Sequence, residues 1–136
     1  MNAPFLLVIP PEYFPTALTA ACMLRAQEIV LLDTVQYSRQ SFQNRTLIRN
    51  LDGVQWLTVP VRSGQFGDPI DRTRIDVDSG WRGRHDKALR FNYSTAPFYL
   101  HFRPHLDAVL DGGSGILADV TCSAMRVAAE LLGCVA

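Results

Sequence analysis

Residues 5–9, "FLLVI", form a short continuous apolar run bounded by prolines. That pattern suits a strand buried on both faces. The "PPEYFP" that follows is a loop, since each proline removes a donor and fixes the backbone. Thr16 can then cap a helix running to about Gln27. "EIVLLD" reads as a second buried strand, so the first thirty or so residues form a right-handed crossover with parallel strands. A polar stretch follows from Thr34 to Arg45. Beyond it, "TLIRNLDGVQWLTVPV" predicts a hairpin turning at Asp52-Gly53, with a strongly strand-like second arm. "RSGQFGDP" is a glycine-containing loop without the Lys and Ser/Thr of a phosphate cradle. "RTRIDVD" alternates and predicts a short strand near an edge.

The second half reads as helical. Asp78 or Ser79 can cap a helix over residues 80–93. Pro97 opens another helical piece, which Pro104 should break or kink. Gly112, Gly113 and Gly115 form a joint, and a last helix spans 116–132 with Gly133 as its C-cap. The fold class is α/β: a Rossmann-like start with parallel strands, a short hairpin and a helical C-terminal part. No repeat interrupts it, and 136 residues suit one domain, 1–136.

Composition narrows the function. Thirteen basic residues balance thirteen acidic ones, which argues against a broad nucleic-acid binder and gives no reason for a membrane partner. The apolar start has no basic head and no small-residue cleavage site, so a soluble, cytoplasmic protein is expected. Only Lys87 among the basic residues is a lysine. Arginine suits bidentate contacts to carboxylate or phosphate, although a G- and C-rich genome gives the same bias. Cys22, Cys122 and Cys134 fit neither a metal motif nor a disulfide framework.

Ligands of open α/β sheets bind at the carboxyl ends of the strands. Both "PPEYFP" and "DTVQYSRQSFQNR" leave parallel strands there, which gives the second loop its candidate role. Asp33 can accept from ligand hydroxyls or cap backbone amides. Gln36 and Asn44 offer donors and acceptors, and Arg39 and Arg45 can grip an anion. The alternative is that these groups satisfy the backbone of a long loop. His85 shares a helix face with Trp81 and Leu89, so it points inward or into a cleft. It is either a hydrogen-bonded core residue or a group for proton transfer. His101 and His105 have metal-pair spacing, but Pro104 lies between them and no acidic partner completes a site. The residues name no cofactor. A tyrosine hydroxyl such as that of Tyr93 could line a pocket.

The order "VLLDTVQYSRQSFQNRTLI", "WLTVPV", "IDVD", Trp81 followed four residues later by His85, and "NYSTAPF" closely resembles the WbqC-like protein family. The resemblance runs from residue 5 to about 133. The family's first loop usually reads His-Gln-Pro-x-Tyr-x-Pro-Trp. Here "IPPEYFPT" keeps Pro11, Tyr13 and Pro15 but lacks the histidine, the glutamine and the tryptophan. The resemblance implies a single domain without the family's C-terminal half. It implies a transferase of acyl or aminoacyl groups acting on a sugar or sugar nucleotide in surface-polysaccharide (O-antigen) biosynthesis. On that reading His85 and Asp33 carry the chemistry, and Tyr13, Gln36, Tyr37, Ser41, Asn44, Arg45 and Tyr93 hold the small-molecule substrate. Two alternatives are a nucleotide-binding or nucleotidyl-transferring domain, and a non-catalytic half-length subunit that needs a second copy or a partner chain.

Overall fold

The computed structural model describes residues 3–64 and 67–134, so Gln65 and Phe66 of the glycine-containing loop lie outside it. Strand β1 (Leu6–Ile9), helix α1 (Ala17–Arg25) and strand β2 (Glu28–Leu31) form the crossover. The strands pair in parallel, Leu6 opposite Glu28 through Ile9 opposite Leu31. Thr16 caps α1, its hydroxyl accepting from the Thr19 N–H at 3.2 Å.

The strands are not buried on both faces, as the apolar runs led us to expect. Leu7, Ile9, Ile29 and Leu31 pack on Met23, Met125 and Ala129. Leu6, Val8 and Val30 on the other face are 53%, 44% and 41% exposed. Helix α1 and the last helix of the chain cover one side, and no second layer covers the other among the described residues.

Strands β3 (Arg45–Asn50) and β4 (Gly53–Thr58) form the hairpin. Asn50 pairs with Gly53, so Leu51 and Asp52 make the turn, one residue earlier than the Asp-Gly pair suggests. Gly53 adopts φ 136°, a conformation that strains any other residue.

The expected strand over "RTRIDVD" is absent. Two short 3-10 turns, Ile70–Arg72 and Val77–Ser79, stand there with single backbone bridges, Val61 to Ile75 and Arg74 to Ile116. The Thr73 hydroxyl donates to the Pro69 carbonyl at 2.8 Å and closes a local turn that competes with extension.

Helix α2 (Trp81–Tyr93) starts from Gly80 in the left-handed region, not from a side-chain cap at Asp78 or Ser79. The Ser79 hydroxyl donates instead to the Asp76 carbonyl. Helix α3 (Tyr99–Leu110) runs unbroken through Pro104, which lies on its exposed side with Leu100. Helix α4 (Leu117–Leu132) ends at Gly133, as expected, with the Cys134 N–H reaching the Ala129 carbonyl at 2.9 Å. It is the spine of the fold. Leu117, Ala118, Val120 and Ala124 enter the main core with Trp81, Ile70 and Ile75, while Met125 and Ala129 meet the β1–β2 pair.

Candidate functional site

The two strand-end loops do meet. The Tyr13 N–H donates to the Phe42 carbonyl at 2.8 Å, which fixes the first loop against the second. Tyr13 itself is fully buried, and its hydroxyl lies 2.8 Å from His85 Nδ1. The other ring nitrogen, His85 Nε2, is 3.0 Å from the Thr58 carbonyl. A carbonyl only accepts, so Nε2 carries the proton and Nδ1 accepts from the tyrosine hydroxyl. Burial pushes the His85 pKa down to about 4, against a smaller upward pull from the Thr58 hydrogen bond. The same burial pushes the Tyr13 phenol up. The pair is therefore neutral at neutral pH, and His85 braces α2, the first loop and the end of β4.

A cleft of about 410 Å³ opens beside this brace, lined by Tyr37, Arg39, Gln40 and Asn44 of the second loop. Thr58 at the end of β4, with Pro60 and Arg62 just past it, forms its opposite wall. Burial pushes the Tyr37 phenol up, so it stays a donor, while the nearby Arg39 and Arg45 charges pull the other way. Asn44 is buried. Its Nδ2 donates to the Val59 carbonyl at 3.3 Å, and its Oδ1 has no partner among the described residues. A buried polar atom without a partner costs roughly 1–3 kcal/mol, and such sites call for an explanation. The strained backbone at Gln40, φ 51°, falls in the same loop.

The remaining sequence candidates divide. Arg45 stacks on Trp56, its guanidinium carbon 4.0 Å from the ring centroid, and donates to the Gln40 carbonyl at 2.9 Å. It holds the loop from behind. Ser41 donates to the Ser38 carbonyl at 2.6 Å and accepts from the Gln43 N–H, so it too shapes the loop. Gln36 is exposed and bridges through its backbone to Pro69. The Tyr93 hydroxyl accepts from the Arg49 N–H at 2.8 Å, on β3. Asp33 lies outside the cleft. Its carbonyl accepts from the Asp71 N–H at 2.8 Å. Burial pushes the Cys122 thiol up, and the nearby Asp33 carboxylate adds to that shift.

Sequence reasoning missed Thr58, Pro60 and Arg62. Their signal was the hairpin alternation: Leu57 and Val59 are buried, so Thr58 faces out at the strand end. A larger cavity of about 680 Å³ lies between α2 and α3. Arg103 there is bonded to Asp86 and Asp107, Arg90 pairs with Asp86, and Arg82 donates to backbone carbonyls at the end of α3. No group of three or more metal-ligating side chains occurs among the described residues.

No solved structure matches this chain. The uncharacterized protein Rv1507c of Mycobacterium tuberculosis is 33% identical over 93 residues, which cover 68% of this chain and 40% of that protein. The match therefore spans well under half of that relative. The WbqC-like protein family matches residues 10–135, which include both strand-end loops, the hairpin, the His85 brace and α4. The chain belongs to the WbqC-like protein family.

Proposed function

We propose that the cleft between the second loop and the end of β4 binds an anionic sugar derivative. On this reading the protein is a transferase of acyl or aminoacyl groups in surface-polysaccharide assembly, the role that its resemblance to the family implies. One observation supports it most. A tyrosine donor, a buried carboxamide whose oxygen has no partner among the described residues, and two arginines line one cleft of a size suited to a small ligand. Arginines favour phosphate or carboxylate, and the tyrosine and asparagine suit sugar hydroxyls. Arg45, behind the loop, adds to the positive field at Tyr37. His85 serves as a positioning residue, since both of its ring nitrogens are engaged within the protein.

The test is calorimetric titration with a uridine diphosphate sugar, uridine diphosphate alone and the free sugar. It uses the wild-type chain and the Tyr37→Phe and Arg62→Ala variants. The reading expects the sugar nucleotide to bind best, and both variants to weaken it about tenfold without loss of fold. Equal binding of the bare nucleotide would favour the nucleotide-binding alternative. No binding by any of the three would sink the proposal for this cleft.

A further inference from the structure

The second loop lines two cavities, not one. Beside the cleft just described, a smaller cavity of about 290 Å³ opens between the two strand-end loops. Ile9, Pro10 and Phe42 give it apolar walls, and Glu12, Thr19, Ser41 and Gln43 supply its polar groups, the Thr19 hydroxyl accepting from that of Thr16. Ser41 Oγ already donates to the Ser38 carbonyl and accepts from the Gln43 N–H. Gln43 Oε1 already accepts from the Ser38 N–H at 2.8 Å. Glu12 is different: one of its carboxylate oxygens is buried with no hydrogen-bond partner among the described residues. A desolvated carboxylate oxygen of this kind is costly unless a donor, best a cation, reaches it. The backbone next to it is strained as well, with Phe14 at φ 62°.

We infer that this cavity is a second ligand site and that it takes a protonated amine on a compact, partly apolar body, such as an amino sugar. Glu12 supplies the counter-charge, and Pro10 and Phe42 cover the carbon skeleton. The two cavities are then opposite in sign, arginine-lined on one side of the loop and carboxylate-lined on the other. A transferase needs a second substrate, so the purpose of this site rests on the proposed function. The binding itself does not.

The experiment is an amide NMR titration of the full chain with glucosamine, N-acetylglucosamine and glucose, at a pH where the amine of glucosamine is protonated. Glucosamine is expected to move the amide signals of Ser41 and Gln43, and the neutral sugars to leave them in place. Glu12→Gln, nearly isosteric, should weaken glucosamine binding about tenfold or more, as expected when a charge-assisted contact becomes neutral. Glu12→Asp should retain part of it. The spectrum of each variant reports its fold directly. Equal binding of glucosamine and N-acetylglucosamine, or unchanged binding in a folded Glu12→Gln variant, would overturn the inference. So would the absence of any shift at Ser41 and Gln43. A Glu12→Gln variant that loses the amine but keeps the sugar nucleotide would establish this site apart from the first. Amine binding without sugar-nucleotide binding would leave this site standing and remove the other.

Discussion

Acid should unfold this protein through His85. The ring is 4% exposed and carries its single proton on Nε2, with both nitrogens bonded inside the protein. Its pKa falls from 6.5 to about 4 on folding. The folded value lies below the unfolded one, so the unfolded chain binds the extra proton first. Stability from this group is therefore complete above about pH 6.5 and is lost as the pH falls toward 4. At about 1.4 kcal/mol per pH unit the difference amounts to about 3 kcal/mol, a large part of the stability of a small domain. Urea unfolding at about pH 7 and about pH 4.5 measures it, in the wild type and in His85→Gln. The wild type should lose about 2–3 kcal/mol more than the variant between the two conditions. Identical pH dependence in the two proteins would refute the claim that His85 is held neutral by burial.

Other consequences are simpler to check. Arg45→Ala should lower the urea midpoint by the equivalent of about 1–2 kcal/mol, because it loses the Trp56 stack and the Gln40 contact, and Arg45→Lys should recover only part of this. Gly133→Ala forces a side chain into φ 71° at the end of α4 and should cost about 1 kcal/mol in thermal unfolding, although the space around it is open. Val30→Lys places a charge on the exposed face of the β1–β2 pair and should leave the monomer's unfolding midpoint within about 0.5 kcal/mol. If light scattering shows that this change dissolves an assembly, a second copy covers that face in solution.

Much of the fold is legible in the sequence because local patterns decide it. The Thr16 cap, the α1 crossover, the hairpin and the Gly133 terminus each follow from a few neighbouring residues. The failures share a different cause. The "FLLVI" run states that the strand is apolar, not how many layers cover it, and here only one does. "RTRIDVD" alternates like a strand, but Thr73 closes a turn with Pro69, four residues back and outside that window. The site was half legible. Strand-end logic points to the second loop, of which Tyr37, Arg39, Gln40 and Asn44 line the cleft, yet Asp33, the first residue it singles out, sits near Cys122 and outside that cleft. Glu12, in the loop after β1, went unnoticed because a lone carboxylate between prolines carries no local pattern. Periodicity placed His85 on an inward face but could not show that Tyr13 and Thr58, distant in sequence, occupy both of its nitrogens.

That brace has a consequence for both cavities. Thr58 lines the arginine-rich cleft and gives its carbonyl to His85, while Tyr13 gives its hydroxyl to the same ring and stands next to Glu12 in the chain. One buried imidazole thus positions a wall of the first cavity and the loop that carries the charge of the second. Side chains that hold a site in place act on whatever binds there, even without touching it. His85→Gln should therefore weaken the sugar nucleotide and glucosamine together, by similar factors, at a pH where the variant remains folded. Tyr93→Phe removes a hydrogen bond to Arg49 on β3, outside both cavity walls, and should change neither affinity. Calorimetry for the nucleotide and the NMR titration for the amine separate the two cases. Full-strength binding of both ligands by a folded His85→Gln variant would mean that the loops hold their geometry without the brace. His85 would then be a core histidine with no bearing on the sites.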